Sequence, residues 1–103
     1  MNILQSIFGK KETINFKDLV SKGAVILDVR TSEEFSSGSI QGAINLPIDR
    51  LSTIAQKVKS KDKVIITCCA SGGRSAMAAS VLKKEGYTNV YNGGGWQSLQ
   101  KEL

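Results

Sequence analysis

The sequence contains no histidine. That absence removes the usual general base at neutral pH, the Ser-His and Cys-His dyads and the commonest metal ligand, so any chemistry here runs without imidazole. Cysteine is scarce too: the two present, Cys68 and Cys69, are adjacent. This spacing is wrong for the C-x2-C pairs of structural zinc sites and poor for a stapling disulfide. A free thiol in a reducing compartment is expected, with no metal. No apolar run approaches the roughly 18 residues needed to span a bilayer. Met1 to Phe8 contains apolar residues, but Gln5 and Ser6 interrupt them, no basic segment precedes them and no small-residue cleavage site closes them. The expected location is cytoplasmic, with no membrane partner.

A chain of 103 residues has room for one modest domain and a real core, but not for two domains. Hydrophobic residues at 41% and charged residues at 22% are ordinary globular values, which argues against disorder. Lys and Arg outnumber Asp and Glu by 14 to 9. The excess (Lys10, Lys11, Lys57, Lys59, Lys61, Lys63, Lys83, Lys84) is scattered rather than stacked on one helix face. It reads as a solvated surface, not a nucleic-acid footprint, and its positive field favours small anionic substrates.

Asn15 followed by Phe16 to Val20 predicts a capped short helix closed by Gly23. Ala24 to Val29 is nearly all apolar, the pattern of a strand buried on both faces. Thr31-Ser32-Glu33-Glu34 is a capping box, so a short helix follows and stops near Gly38. Ala43 to Leu46 is a second strand, ended by Pro47. Asp49 can cap a helix whose stripe is Leu51, Ile54, Ala55 and Val58. Val64 to Cys68 is a third β-branched run, followed by a glycine loop and a helix from Ser75 to about Glu85, with Gly86 beyond its end. Asn89 to Tyr91 is a last short strand, and Gly93-Gly94-Gly95 leads into a helix from Trp96 to Leu103. Short apolar strands alternating with helices predict an α/β domain: a central parallel sheet of about five strands with helices on both faces. Sites in such sheets lie at the carboxyl ends of strands, where Cys69 falls.

The run Cys69-Ala70-Ser71-Gly72-Gly73-Arg74-Ser75 carries the chemistry. A thiol at the end of a buried strand, facing the first turn of a helix, meets free backbone N–H groups and the positive end of the helix dipole. The two glycines permit positive φ, so that successive N–H groups point into one concavity. Arg74 adds a permanent charge. All three effects favour the thiolate, making Cys69 a nucleophile at neutral pH without histidine. The competing reading, a buried Cys69 beside a tight turn, is the weaker once Arg74 and Ser75 stand at those offsets. Strand alternation turns Cys68 to the opposite face, where it fills the core.

Three ordered blocks of residues resemble the rhodanese family, over about Thr13 to Leu99. They are Leu27-Asp28-Val29-Arg30 with Glu34-Phe35 and Gly38; Gly42 to Pro47; and Cys69 to Ser75 with Gly86-Tyr87 and Val90 to Trp96. The resemblance implies a single rhodanese-like domain over residues 12–103, with residues 1–11 an N-terminal extension. It implies a sulfurtransferase in which Cys69 carries sulfur as a persulfide, cradled by Ala70, Ser71, Gly72, Gly73, Arg74 and Ser75. The donor would be a small anion, thiosulfate or a persulfide; a protein donor or acceptor is the other partner class, and no cofactor is implied. Asp28 and Arg30 are expected to be a structural pair near the site, and Trp96 and Phe35 core or rim. Ser39 and Gln41 stand where many family members have His and Pro, a departure that affects loop geometry rather than chemistry.

Two alternatives follow. One is a sulfur-relay or partner-binding module with little turnover of its own. The other is phosphatase or arsenate reductase chemistry, disfavoured because Cys69 to Arg74 counts six residues, whereas the related dual-specificity phosphatases have a longer, wider loop.

Overall fold

The structure is a computed structural model and describes residues 13–103. The extension at residues 1–11 and the reading of Met1 to Phe8 lie outside the described residues. Helix α1 (Phe16–Ser21) starts as anticipated, with the Asn15 side chain accepting a hydrogen bond from the Asp18 amide at 2.9 Å. Strand β1 (Val25–Asp28) follows, then α2 (Ser32–Ser36), which opens with a complete Thr31–Glu34 capping box. Strand β2 (Ile44–Asn45) is short and is followed by a 3-10 helix (Ile48–Thr53) and α3 (Ile54–Lys57). Strand β3 (Val64–Cys69), α4 (Gly73–Lys84), β4 (Asn89–Gly95) and α5 (Trp96–Lys101) complete the order.

The four strands lie in the order β2-β1-β3-β4 and every neighbouring pair is parallel. Each run picked out as a strand from its β-branched composition is one; among the described residues no fifth joins the sheet, so about five becomes four. Parallel pairing requires a crossover between strands, and the crossovers cover both faces. On one face Leu27, Val29, Ile65, Cys69 and Val90 pack with Leu51, Ile54, Ala78 and Leu82. On the other, Ile26, Ile66 and Cys68 pack with Leu99 and, from α1, Phe16, Leu19 and Val20. Neighbouring residues on β1 and β3 thus enter different cores, as a period of two demands. Among the described residues no helix is long and apolar enough to cross a membrane.

The Asp49 cap does not form. The helical turn begins at Ile48 with Pro47 at its cap, and Asp49 sits inside the first turn with no capping bond. The Thr53 hydroxyl donates to the Arg50 carbonyl at 2.8 Å. Pro47 takes the cap position, so Asp49 comes too late in the chain to cap the turn.

Two strand ends define the site. From β1 the chain continues to one edge of the sheet, and from β3 to the other, so the segments leaving them diverge and a crevice opens between their carboxyl ends. The segment after β1 supplies Arg30 and Glu34; the segment after β3 supplies Cys69 to Ser75.

Candidate active site

Cys69 is the last residue of β3 and is only 1% exposed. Its Sγ accepts hydrogen bonds from the Gly72 amide at 3.0 Å and the Ser75 amide at 3.3 Å. Both donors belong to the turn that becomes α4, where N–H groups lack partners within the helix. Gly72, at φ +109°, caps that helix in the left-handed region; Gly73 does not share this conformation and is simply the first helical residue. One glycine with positive φ, not two, bends the amides onto the sulfur. Burial pushes the thiol up, but hydrogen bonds from the Ser75 hydroxyl and amide and from the Gly72 and Ser71 amides outweigh it. The net effect holds Cys69 below the ordinary thiol value.

Its neighbour behaves oppositely. Cys68 is fully buried on the other face, and burial, reinforced by the Asp28 charge, pushes its thiol up to about 12. One peptide bond therefore separates a thiol shifted down from a thiol shifted up, and both are free.

The Arg74 guanidinium is engaged elsewhere than at the sulfur. Its two terminal nitrogens donate to the two carboxylate oxygens of Glu34, at 2.7 and 2.9 Å. The hydrogen bond from Arg74 lowers the Glu34 carboxyl to about 2, and the Thr31 amide helps. The Cys69 charge acts on Arg74 only as a smaller influence behind Glu34.

Asp28 and Arg30 are both buried. Arg30 Nη2 donates to Asp28 Oδ2 at 2.7 Å and Arg30 Nε to Asp28 Oδ1 at 2.9 Å. The remaining donors of Arg30 reach the Glu34 carbonyl at 3.2 Å and the Gly38 carbonyl at 2.8 Å, and its guanidinium stacks 4.7 Å from the Trp96 ring centroid. Trp96 and Phe35 are half-buried. Asn45 on β2 donates to the Asp28 and Arg30 carbonyls at 3.1 and 2.9 Å. The pair thus ties the end of β1 to the segment that carries Glu34.

The far wall comes from β4. Its pairing with β3 shifts register between Thr67 and Cys69, so that Thr67 faces Asn92 while Cys69 faces Gly95. The extra residue on β4 is a bulge. It needs glycine because a Cβ on Gly93 would stand 2.8 Å from the Thr67 carbonyl oxygen and from Ile66 Cγ2. The bulge leaves Asn92 Oδ1 2.7 Å from the Ser75 hydroxyl, where it also accepts from the Gly94 amide at 3.0 Å. Beneath the turn, the Thr67 hydroxyl donates to the Ser75 carbonyl at 2.9 Å. Among the described residues no group of three or more His, Cys, Asp or Glu side chains could hold a metal ion.

This four-stranded parallel fold has counterparts among known proteins. The family model for the rhodanese-like domain matches residues 13–102. The chain belongs to the rhodanese family. The thiosulfate sulfurtransferase PspE of Escherichia coli K12 is 35% identical over 74 residues, which cover 71% of this chain and 71% of that protein. The mitochondrial protein High Arsenic Content 1 of Arabidopsis thaliana is 38% identical over 94 residues, 80% of this chain; the match spans about half, 55%, of that relative. Among solved structures, a rhodanese with anions from E. coli superposes with a TM-score of 0.70 at 34% identity, covering 73% of this chain and 89% of the other.

In this rhodanese domain the structure brings together Cys69, Ser71, Gly72 and Ser75, and sets Arg74 at the rim. Asp28 and Arg30 lie beneath the segment that follows β1. Glu34 is expected from the sequence as half of a capping box and as part of the first block of the family resemblance, and Asn92 as part of the third; neither they nor Thr67 are expected at the site. Asn92 had a signal, a polar residue placed just ahead of three glycines; Thr67 had one in being the polar member of a buried apolar run.

Proposed function

We propose that the protein is a sulfurtransferase that moves sulfane sulfur from thiosulfate or a persulfide donor to a thiophilic acceptor through a persulfide on Cys69. The observation that carries this reading is the Cys69 sulfur receiving the Gly72 and Ser75 amides at 3.0 and 3.3 Å, two donors aimed at it that favour its anionic form. The likeness to a thiosulfate sulfurtransferase supports the same reading.

In the first step the Cys69 thiolate attacks the outer sulfur of thiosulfate. A Cys69–sulfur bond forms, the sulfur–sulfur bond of the donor breaks, and sulfite leaves with the bonding pair. The product is a persulfide anion on Cys69. In the second step a nucleophile such as cyanide, or a thiolate of a small molecule or protein, attacks the outer sulfur and Cys69 leaves as thiolate. Neither step needs a proton from a histidine, because the leaving group in each is an anion. The amides of Ala70 to Ser75 and the Ser75 hydroxyl stabilise that charge as it moves between sulfurs, the role of preorganised donors at a developing anion. Asp28 and Arg30 keep the end of β1 in place. A reducing compartment such as the cytoplasm suits this chemistry, since Cys69 must begin as a free thiol.

Incubation with thiosulfate followed by intact-protein mass measurement tests the reading. Wild type gains one sulfur atom and Cys69→Ser gains none, while Cys68→Ser still does. A wild type that gains no sulfur, yet hydrolyses an aryl phosphate, would be a phosphatase instead.

A further inference from the structure

The Glu34–Arg74 pair joins the two segments that border the crevice, and three observations separate it from an ordinary surface contact. It is bidentate, with each carboxylate oxygen taking its own guanidinium nitrogen, at 2.7 and 2.9 Å. The carboxylate is itself pinned, because Glu34 Oε1 accepts from the Thr31 amide at 3.0 Å and lies 3.1 Å from the Thr31 hydroxyl. And the two side chains stay 35% and 37% exposed, so solutes can reach the pair, and the Cys69 charge is near enough to act on Arg74.

A guanidinium on its own at that rim would attract a dianion more than a monoanion, since the Coulomb energy scales with the charge of the ligand. A guanidinium clasped by a carboxylate presents a dipole, whose field falls off faster and distinguishes the two charges less. Glu34 stays ionised across the neutral range, so the clasp holds wherever the thiolate exists.

We propose that Glu34 is a positioning residue that sets donor selectivity: by holding Arg74 in a neutral pair it disfavours the thiosulfate dianion relative to monoanionic persulfides borne by thiols. The inference rests on the sulfurtransferase reading above and adds to it which donor class the site suits.

The test is a double-mutant cycle on the whole chain, with cyanide as acceptor and two donors: thiosulfate and the persulfide of a small uncharged thiol. Glu34→Gln keeps an acceptor oxygen for the Thr31 capping box, and removes the carboxylate charge together with one of the two acceptors that hold Arg74. It should lower the KM for thiosulfate by about threefold to fivefold, the scale of one exposed charge interaction, with kcat unchanged and the persulfide KM little moved. Arg74→Met should raise the thiosulfate KM by a similar factor, because Glu34 is left unopposed. The double variant, lacking a neutral pair, should return close to wild type. High salt should shrink both single effects. Binding of thiosulfate to the same variants in a Cys69→Ser background, followed by calorimetry, should show the same order without turnover.

The inference is overturned if Glu34→Gln changes both donors by one common factor, or if the double variant uses thiosulfate as poorly as Arg74→Met alone. The first result means a purely structural Glu34, the second an Arg74 that binds donor directly. If Glu34→Gln does not fold, by circular dichroism, the residue is structural and the inference also falls. Wild type that takes sulfur from neither donor refutes the sulfurtransferase reading itself; normal uptake with unmoved selectivity refutes only the role of Glu34.

Discussion

The Ser75 hydroxyl lies 2.7 Å from Asn92 Oδ1 and 2.9 Å from the Gly72 carbonyl oxygen, and it helps to hold the Cys69 thiol below the ordinary value. Its single proton has two oxygen acceptors beside it. As charge builds on the sulfur the strongest acceptor becomes the thiolate, because hydrogen bonds to ionised groups are roughly twice as strong as neutral ones. The hydroxyl is thus held ready at the site by the two oxygens it would leave.

Ser75→Ala removes that proton but keeps the backbone amide. The Cys69 thiol should then titrate higher, towards the ordinary value, and react more slowly at neutral pH. Iodoacetamide alkylation of Cys69 as a function of pH measures this. An inflection at the wild-type position would mean that the amides alone stabilise the thiolate.

Gly72→Ala acts on the same sulfur through the backbone. At φ +109° an alanine is strained, and the left-handed conformation costs about 1 to 2 kcal/mol. If the turn relaxes, the Gly72 amide leaves its 3.0 Å contact with Sγ. Urea denaturation should show the loss of stability, and the alkylation profile an upward shift.

Cys68 should make the protein less stable in alkali. Its thiol is raised from 9.0 to about 12 by burial. Below the ordinary thiol value folded and unfolded chains both hold the proton, so no dependence arises. Between that value and about 12 the unfolded chain releases the proton and the folded one keeps it, so stability falls as pH rises, by up to about 1.4 kcal/mol per pH unit. Denaturation midpoints measured across this window should slope less in Cys68→Ala than in wild type; equal slopes would refute the assignment.

Breaking the buried Asp28–Arg30 pair should be costly. Asp28→Ala leaves a buried guanidinium without its counterion, a change worth about 3 to 5 kcal/mol. Removing both charges, with Asp28→Leu and Arg30→Met, should recover part of that loss. A double variant weaker than Asp28→Ala would point to the bonds from Arg30 to the Glu34 and Gly38 carbonyls as the greater contribution.

What could be read along the chain is what depends on neighbours in sequence. The Asn15 cap and the Thr31–Glu34 box are bonds over three residues, and they form as their residue types dictate. The opposite facing of Cys68 and Cys69 follows from strand alternation alone, and the position of Cys69 before a glycine turn and a helix from the order of residues. The local rule that failed is the Asp49 cap, because the turn starts at Ile48 with Pro47 in the cap position. The pairing of Glu34 with Arg74, 40 residues away, has no such basis: nothing near either residue says that β1 and β3 lie side by side and that their carboxyl ends open on one crevice. The same holds for Asn92, which reaches Ser75 because β4 pairs with β3 in a register that sets Asn92 opposite Thr67, just ahead of the bulge. Strand order and register are settled by how two buried faces pack at once. A linear sequence carries the pieces of the site, and packing alone chooses which of them meet.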